Sequence, residues 1–292
     1  MITDKPVAAD NLRGSLWMIG SMAGFAAEDA FLKAAAGAMP VGEVLVFEGL
    51  AGIVCFAALA LRAGTPPLPR AVLSGTMAIR SAMEMVGRLF YALAIVLTPL
   101  STASAILQAT PLVVVLGAAL LFRERIGGFR WAMMAMGFAA VLLIVRPGLA
   151  GFSALSVLAL IGMLGFAGRD LATRAAPPTL SNAQLGVAGF SVLTLSGALI
   201  LSVTGGPVLP SLPACGLVAC ASAFGIAGYG ALTQAMRTGE VSAVTPFRYS
   251  RLLFALILGV VAFGERPDPQ TLLGSAIIVA CGLGLLTRRR IG

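Results

Sequence analysis

Charged side chains interrupt stretches of this sequence that are otherwise apolar and long enough to cross a membrane. In one stretch Arg80, Glu84 and Arg88 are spaced by four residues, and Tyr91 follows three positions later, so one helical face carries them all. A charge at the centre of a bilayer costs at least about 2.5–3.5 kcal/mol and is kept where it faces a partner or a water-filled cavity. This face therefore predicts either a polar path for a solute or an ion-paired stripe that holds helices together.

A second group of polar residues follows Pro246. Arg248 and Arg251 are one turn apart with Tyr249 between them, and a proline in a membrane helix permits a bend beside a cavity. Arg251 lies deeper in the stretch, whereas the side chain of Arg248 can also extend to the membrane surface. Gln108, midway along another apolar stretch, is a candidate either for hydrogen bonding to a solute or for a contact between helices.

The composition places most of the chain in a bilayer. Of the 292 residues, 59% are hydrophobic and 11% are charged, whereas soluble domains have about 25% charged residues. The net charge of +8 is explained by Lys and Arg in cytoplasmic loops, so no binding of nucleic acid is expected. Because the chain has no histidine and its four cysteines form no CxxC motif, we expect no metal site, no cofactor and no catalytic residue.

Breaks marked by proline, glycine and charge divide the chain into ten apolar runs of roughly membrane-spanning length. We therefore predict an all-α integral membrane protein with ten transmembrane helices. The predicted helices occupy residues 14–34, 41–62, 71–94, 100–122, 127–146, 152–174, 182–204, 212–235, 241–263 and 270–288.

Lysine and arginine are distributed unevenly over the loops between these runs. With the N-terminus inside, twelve of them fall on cytoplasmic segments and three on outer loops, which is the bias that sets orientation in membranes. An even number of spans returns the chain to its starting side. We therefore predict that both termini lie in the cytoplasm.

The two halves of the chain match each other at a constant offset of 141 residues. The clearest matches are Phe25–Asp29 with Phe166–Asp170 and Phe122–Arg125 with Phe263–Arg266. Each half contains five runs, and because five is odd, the second half enters the membrane inverted. We predict two inverted five-helix repeats, residues 1–146 and 147–292, which form one transport unit with a site between them.

The repeat places charged residues at equivalent positions in the two halves, near opposite ends of the bundle. Glu28 and Asp29 lie near the outer end of the first helix, and Arg169 and Asp170 lie near the inner end of the sixth. If the halves rock against each other, these are symmetric gate positions. The alternative is that their side chains extend to the membrane surface.

Single residues complete the predicted site. Gln108 and Tyr249 are repeat counterparts, and symmetry places both near the axis between the halves. Glu48 is a lone carboxylate on the second helix and the plainest candidate for carrying a proton, with Glu84 as the other. Tyr229 can contribute to an aromatic wall of the cavity or simply to packing.

The predicted site therefore has three parts. The substrate-binding residues are Arg80, Glu84, Arg88, Tyr91, Gln108, Tyr229, Tyr249 and Arg251. The gate residues are Glu28, Asp29, Arg169, Asp170 and Arg248. The candidates for proton coupling are Glu48 and Glu84.

Several motifs of this chain resemble those of the drug/metabolite transporter superfamily. They are the Phe-Arg-Glu-Arg at 122–125, the Val-Thr-Pro-Phe-Arg-Tyr-Ser-Arg-Leu-Leu-Phe-Ala at 244–255 and the Phe-Gly-Glu-Arg-Pro at 263–267. The chain is most similar to the bacterial EamA-type branch, which includes exporters of aromatic and other amino acids. The resemblance implies an inner-membrane carrier whose central cavity is lined by the third, fourth, eighth and ninth helices, with parts of the first and sixth.

We predict a secondary transporter, not an enzyme, that exports small metabolites across the bacterial inner membrane by alternating access. The mid-membrane arginines outnumber the carboxylates Glu84 and Glu48, and this surplus favours a substrate with a carboxylate, foremost an amino acid. These arginines are Arg80, Arg88, Arg248 and Arg251. Export, rather than uptake, is implied by the resemblance alone. The expected partners are a small molecule and the lipid bilayer, with no obligate protein partner.

Two alternatives to amino-acid export stay open at this point. One is the uptake of S-adenosylmethionine or a related adenosyl metabolite, which some similar carriers perform. The other is an integral-membrane enzyme that acts on a lipid-linked substrate, although the absence of histidine and of a clustered aspartate motif speaks against it.

Overall fold

The computed structural model of the protein describes residues 5–122, 128–145, 153–174, 179–238 and 245–287. Within these ranges all regular secondary structure is helical. The helices are α1 (Lys5–Ala35), α2 (Val41–Arg62), α3 (Gly75–Leu97), α4a (Leu100–Leu107), α4b (Thr110–Phe122), α5 (Gly128–Val145), α6 (Ser156–Arg174), α7 (Asn182–Thr204), α8 (Leu212–Thr238), α9 (Ser250–Phe263) and α10 (Pro269–Thr287).

The prediction of an all-α chain with ten helices is confirmed for the described residues, with α4a and α4b as the two parts of the fourth. Helices α2 and α7 begin and end where the apolar runs do. Helix α1 begins at Lys5, upstream of its apolar run, and a 3₁₀ turn at Arg70–Leu73 delays the start of α3 to Gly75. The predicted helix ends at 127, 146, 152, 241 and 288 lie outside the described residues.

The fourth helix is interrupted at Gln108 and Ala109. Pro111 has no N–H group with which to continue the helical ladder to the carbonyl of Leu107, and a proline ring clashes with the carbonyl four residues earlier. The hydroxyl of Thr110 donates to the Leu107 carbonyl instead, at 2.5 Å. The break turns the side chain of Gln108 towards the start of α9.

Length and composition alone identify three of the described helical segments as able to cross a membrane: Val41–Arg62, Asn182–Thr204 and Leu212–Leu232. Shorter apolar segments are Leu100–Val114, Trp131–Ile144 and Pro269–Cys281. Helices α1, α3 and α6 carry the buried charges described below, which lower their mean hydropathy. Large apolar side chains such as Val54, Val203 and Val261 are exposed on the outer surface of the bundle, as expected where lipid tails replace water.

Each of the most extensive helix contacts joins a helix from residues 5–145 to one from residues 156–287. Helix α1 packs along α8, α2 along α7, α3 along α6, and α5 along α10. Helix α9 packs against α1 and α4a, while α6 packs against α4a and α4b. The interior of the bundle is therefore formed by α1, α3, α4a, α6, α8 and α9, with α2 and α7 beside them.

Glycines let two of these helix pairs approach closely. A Cβ atom on Gly165 of α6 would lie 2.4 Å from the backbone nitrogen of Gly87 in α3. A Cβ atom on Gly24 of α1 would lie 3.1 Å from the Cα atom of Gly228 in α8. Backbone atoms cannot yield as side chains can, so the α3–α6 contact requires glycine at position 165.

Candidate functional site

Ten ionisable side chains from α1, α2, α3, α6 and α9, with the turn that precedes α9, meet inside the bundle. We call them the charged core. Its members are Glu28, Asp29, Glu48, Arg80, Glu84, Arg88, Arg169, Asp170, Arg248 and Arg251. The structure therefore brings together residues that are up to 223 positions apart in the sequence.

One part of the charged core is centred on Glu84 of α3. Its Oε2 atom lies 3.0 Å from Nη1 of Arg80, the residue four positions earlier on the same helical face. Its Oε1 atom lies 3.8 Å from Nη1 of Arg169 in α6. Glu84 is only 1% exposed, so these guanidinium groups replace the water that a carboxylate would otherwise need.

Arg169 extends this part of the core to α9. Its Nε and Nη2 groups both donate to Oδ1 of Asp170, at 3.0 and 2.7 Å. The other carboxylate oxygen of Asp170 lies 3.9 Å from Nη2 of Arg248, and the Arg169 guanidinium also lies over the ring of Phe166. The sequence placed Arg169 and Asp170 in a gate; the structure places them in a chain of alternating charges from α3 to α9.

The second part of the charged core joins α1 to α9 through Asp29. Nη2 of Arg251 donates to Oδ2 of Asp29 at 2.6 Å, and the hydroxyl of Tyr91 donates to the same oxygen at 3.3 Å. The guanidinium of Arg251 lies 5.3 and 5.7 Å from the ring centres of Phe25 and Tyr91, within the range of cation–π attraction. Asp29 thus has a charged and a neutral donor.

Glu28 and Glu48 form the third part. Nη1 of Arg88 lies 3.5 Å from Oε1 of Glu28, so Arg88 pairs with α1 rather than with Glu84, which is four residues earlier on its own helix. Glu48 is fully buried, and within the described residues neither of its carboxylate oxygens accepts a hydrogen bond from an N–H or O–H group. Both glutamates contact Gly225 of α8: a Cβ atom there would lie 3.0 Å from Oε1 of Glu48 and 3.2 Å from Oε1 of Glu28.

The remaining predicted residues have packing contacts. Gln108 lies against its repeat counterpart, because its Nε2 group donates to the carbonyls of Tyr249 and Arg248, each at 3.2 Å. This is the contact between helices that was the predicted alternative to hydrogen bonding with a solute. Tyr229 packs edge-on against the ring of Phe56 at a centroid distance of 5.1 Å.

The surplus of positive charge expected from the sequence is not found in the charged core. Five arginines face five carboxylates there. The sequence placed Glu28, Asp29 and Asp170 near helix ends, but Glu28 and Asp29 are only 5% and 4% exposed. They do not extend to the membrane surface, because their arginine partners lie inside the bundle.

The side chains of the charged core are most exposed at one end of it. The side chains of Arg248 and Asp170 are 32% and 23% exposed, whereas that of Asp29 is 6% exposed. The accessible residues lie where α6 ends and α9 begins. A separate groove of about 560 Å³ between α1, α8 and α9 is lined by glycine, alanine and large apolar side chains such as Trp17 and Phe254, and it suits lipid tails better than a charged solute.

At the opposite end of the bundle, a hydrogen-bond network that the sequence did not predict connects α1, α4a and the segment after α9. Oε1 of Glu265 accepts hydrogen bonds from Leu100 N at 2.6 Å and Lys33 Nζ at 3.3 Å. Its Oε2 atom accepts from Ser101 N at 3.1 Å and from the Ser101 hydroxyl at 2.8 Å. Lys33 also donates to the carbonyl of Thr98 at 2.7 Å. A residue after α9 thus caps the first turn of α4a and binds the end of α1.

The repeat alignment contained a signal for this network. Lys33, Ser101 and Glu265 correspond at the offset of 141 to Arg174, Ser242 and Glu124, so both halves contain a cation, a serine and a glutamate at the same points. Glu124 and Ser242 lie outside the described residues. Burial raises the pKa of Glu265, but the hydrogen bonds from Ser101 and Leu100 and the charge of Lys33 outweigh it, so its pKa lies below the ordinary value.

We expect Glu265→Ala to lower the free energy of unfolding by about 1.5–3 kcal/mol, the range for hydrogen bonds to a charged group. Thermal unfolding of the purified protein in detergent measures this, and Arg266→Ala, which alters the exposed neighbouring residue, is the matched control. A carboxylate with a lowered pKa stabilises the fold above its ordinary pKa, and this contribution is lost as the pH falls through the lowered value. The difference between wild type and Glu265→Gln should therefore be largest at neutral pH; a difference that grows in acid would contradict the assignment.

The model of the EamA-like transporter family matches residues 12–146 and again residues 149–287. The chain belongs to the EamA-like transporter family. The resemblance noted from the motifs is thereby confirmed, and the chain is a membrane transporter rather than an enzyme.

Named relatives of this EamA-like chain transport different solutes. It is 26% identical over 264 residues to the pseudopaline exporter CntI of Pseudomonas aeruginosa strain UCBPP-PA14, covering 89% of this chain and 91% of that protein. It is 24% identical over 280 residues to the riboflavin transporter of Vibrio cholerae, covering 92% and 91%. It is 21% identical over 208 residues to the S-adenosylmethionine uptake transporter of Rickettsia bellii, covering 71% of each.

A solved crystal structure shares the fold of this EamA-like chain. Its TM-score is 0.64 at 22% sequence identity, and the match covers 96% of this chain and 99% of that one. At this identity the likeness concerns the arrangement of the helices alone.

Proposed function

We propose that the protein is a secondary transporter that exports small amino-acid-type metabolites across the bacterial inner membrane by alternating access. The observation that carries the proposal is the charged core, in which buried arginines and carboxylates alternate inside a membrane bundle. Ionisable residues inside such a bundle mark the path of a solute or an ion. The relative that exports pseudopaline and matches nearly the whole chain supports the outward direction.

The balance of charge in the core favours a substrate that carries both signs. If a substrate carboxylate took Arg251 from Asp29, that aspartate would be left buried and unpaired, at a cost of several kcal/mol. A substrate ammonium group can pair with Asp29 at the same time, so a zwitterion exchanges partners without leaving a charge uncompensated. An amino acid or a metabolite derived from one meets this requirement; a simple anion or cation does not.

Within this proposal the predicted residues keep separate roles. The residues that contact substrate are Arg80, Glu84, Arg88, Tyr91, Tyr229, Tyr249 and Arg251. The residues whose pairs open and close are Glu28, Asp29, Arg169, Asp170 and Arg248. Gln108 is assigned instead to the contact between α4a and α9, because both carbonyls that it binds belong to the turn before α9.

The two halves, residues 1–146 and 147–292, are proposed to be inverted repeats. The family model matches the chain twice, once in each half. The offset of 141 makes α1 the counterpart of α6, and α3 the counterpart of α8, so the α1–α8 pair corresponds to the α6–α3 pair. By the same rule the α2–α7 and α5–α10 pairs each join a helix to its own counterpart. The packed atoms follow the same rule, because the offset of 141 relates the contact between Gly24 and Gly228 to that between Gly165 and Gly87.

Alternating access is supported by the difference between the two ends of the bundle. The side chains of Arg248 and Asp170 are 32% and 23% exposed at one end, whereas those of Lys33 and Glu265 are 17% and 10% exposed at the other. With both termini in the cytoplasm, as the distribution of Lys and Arg indicates, the accessible end faces the cytoplasm. The described conformation would then be the inward-facing one, from which an exporter takes its substrate.

Exchange in reconstituted liposomes tests the proposal. The purified protein is reconstituted, the vesicles are loaded with an unlabelled amino acid, and entry of the same labelled amino acid is followed for L-alanine, L-phenylalanine and L-lysine. Exchange well above that of protein-free vesicles is expected for at least one of them. Exchange of riboflavin or S-adenosylmethionine, but of no amino acid, would contradict the proposed cargo.

Uptake of an adenosyl metabolite is the second candidate, because the S-adenosylmethionine uptake transporter is among the relatives. S-adenosylmethionine carries an amino-acid group as well as a further positive charge, so the charge argument does not exclude it. Measuring its entry into cells that express the protein, beside efflux of amino acids from the same cells, distinguishes the two directions.

A further inference from the structure

Two carboxylates in the charged core share a single cation. Glu28 of α1 pairs with Arg88 of α3 at 3.5 Å. Glu48 of α2 is fully buried and has no hydrogen-bond donor within the described part of the chain. Both carboxyl groups contact the same backbone position, since a Cβ atom on Gly225 would lie 3.0 Å from Oε1 of Glu48 and 3.0 Å from Cδ of Glu28.

The place that the repeat offset relates to this one is differently charged. At the offset of 141, Gly225 corresponds to Glu84, Glu28 to Arg169, and Glu48 to Gly189. These three residues also meet: Glu84 lies 3.8 Å from Arg169 and 3.3 Å from a Cβ atom placed on Gly189. There one carboxylate contacts two arginines, Arg80 and Arg169. At the place of Glu28 and Glu48, by contrast, two carboxylates have a single arginine, Arg88.

The other charges near Glu48 do not restore the balance. Asp29 of α1 adds a further negative charge, while Arg88 is the cation that acts on it. Helix α7, which packs along α2, contains no ionisable residue, and α8 presents Gly225. A second ionised carboxylate at this place would have no adjacent cation of its own, and an unpaired charge inside the bilayer costs at least about 2.5 kcal/mol.

We infer that Glu28 and Glu48 share one proton, and that this proton is the coupling ion of the transporter. One O–H group then bridges the two carboxyl groups, and the single remaining negative charge is balanced by Arg88. The inference rests on the proposed transport function and adds the driving force to it. Of the two candidates for proton coupling named from the sequence, it selects Glu48, because Glu84 already pairs with two arginines.

A proton fits this place better than a metal ion. No group of three or more His, Cys, Asp or Glu side chains within the described ranges is arranged to hold a metal ion, and the adjacent Arg88 would repel one. Sodium requires several oxygen ligands around it, whereas a proton requires only the two facing carboxyl groups.

The exchange of proton for substrate is balanced. In the inward-facing state the substrate carboxylate pairs with Arg251, and its ammonium group lies between Asp29 and the adjacent Glu28. The O–H bond shared by Glu28 and Glu48 then breaks, and the proton leaves to cytoplasmic water. In the outward-facing state the substrate leaves, and a proton from outside binds the two carboxylates again. Each cycle moves one proton inward and one substrate outward, so the proton gradient drives export.

Infrared difference spectroscopy of the purified full-length protein tests the shared proton without any substrate. Wild type at neutral pH should show the C=O stretching band of a protonated carboxyl group, and Glu48→Gln should abolish it. Glu43→Gln is the matched control: this glutamate is on the same helix and 4% exposed, but it accepts a hydrogen bond from Val208 N at 3.0 Å, so the band should persist. A band unchanged in Glu48→Gln overturns the inference.

Proteoliposomes with the pH dye pyranine inside test coupling in wild type, so the result does not depend on a variant that folds. With the membrane potential clamped at zero, one pH unit should drive about tenfold accumulation of L-alanine or L-phenylalanine against its gradient, with proton movement in the opposite direction. Exchange in Glu48→Gln should no longer vary with pH.

The outcomes separate the inference from the function on which it rests. If neither amino acid exchanges but the infrared band behaves as expected, the proposed cargo fails and the protonated pair stands. If an amino acid exchanges while a pH gradient produces no accumulation, or a sodium gradient produces it instead, the coupling inference is overturned.

Discussion

Arg251→Ala is expected to reduce transport by about 100-fold while the protein still inserts in the membrane. Arg251 is the charged donor to the buried Asp29, at 2.6 Å, and its removal leaves that carboxylate with the Tyr91 hydroxyl alone. Breaking a buried ion pair from one side costs about 3–5 kcal/mol, and about 1.4 kcal/mol corresponds to a factor of ten. Exchange of labelled amino acid in liposomes measures the loss, normalised to the amount of reconstituted protein.

The double variant Asp29→Asn with Arg251→Gln distinguishes a role in transport from a role in folding. It removes both charges, so no buried charge is left unpaired and thermal stability should recover towards that of wild type. Transport should not recover, because the pair that exchanges partners with the substrate is gone. Arg80→Ala is the graded comparison: Glu84 retains Arg169, so a smaller loss, about tenfold, is expected. Wild-type transport in both single variants would remove these residues from the substrate path.

Gly165→Ala is expected to produce the largest loss of stability of any single methyl addition considered for the bundle. The added Cβ atom would lie 2.4 Å from the backbone nitrogen of Gly87, so α3 and α6 must separate along their whole contact. Overpacking costs typically about 1–3 kcal/mol, and we expect the upper end because the opposing atoms are backbone. Thermal unfolding in detergent, followed by the fraction of protein that elutes as a single species, measures the effect.

Two other glycines calibrate this result. Gly24→Ala should cost less, since its Cβ atom would lie 3.1 Å from the nearest backbone atom of α8. Gly20→Ala adds the same methyl group to α1 where no atom outside that helix lies within 4 Å, and it should leave stability unchanged or raise it slightly. Because alanine is the better helix former, helix propensity alone would raise stability in all three variants. Equal losses in all three would therefore contradict the assignment of the effect to the close contact.

The sequence predicted the helices and the local charge pairs because both depend on short-range spacing. Apolar runs bounded by proline and glycine gave the boundaries of α2 and α7, and the four-residue spacing of Arg80 and Glu84 predicted their contact. The break after Leu107 is not among these predictions, since the apolar run indicated one helix over residues 100–122, although its cause is local: Pro111 lacks the N–H group that the helix would need.

The long-range partners could not be obtained in this way. Arg88 pairs with Glu28 and Arg251 with Asp29 because α1 packs against α3 and α9, and neither contact has a signature in spacing. Glu265 looked like an ordinary charge at a helix end, yet it caps a helix that begins 165 residues earlier. The expected surplus of positive charge failed for the same reason, since the compensating carboxylates come from helices that the sequence could not place beside the arginines.

The glycine contacts bear on what a mobile piece of this molecule can be. Helix α1 packs closely against α8, and α3 packs closely against α6. Each of these pairs combines one helix from the first half of the chain with one from the second. The units that move as rigid bodies are then not the two halves of the sequence. They are the α1–α8 pair and the α3–α6 pair, each of which contains one helix from either half. The pivot between them would be the place where the side-chain amide of Gln108 donates a hydrogen bond to the carbonyl of Tyr249.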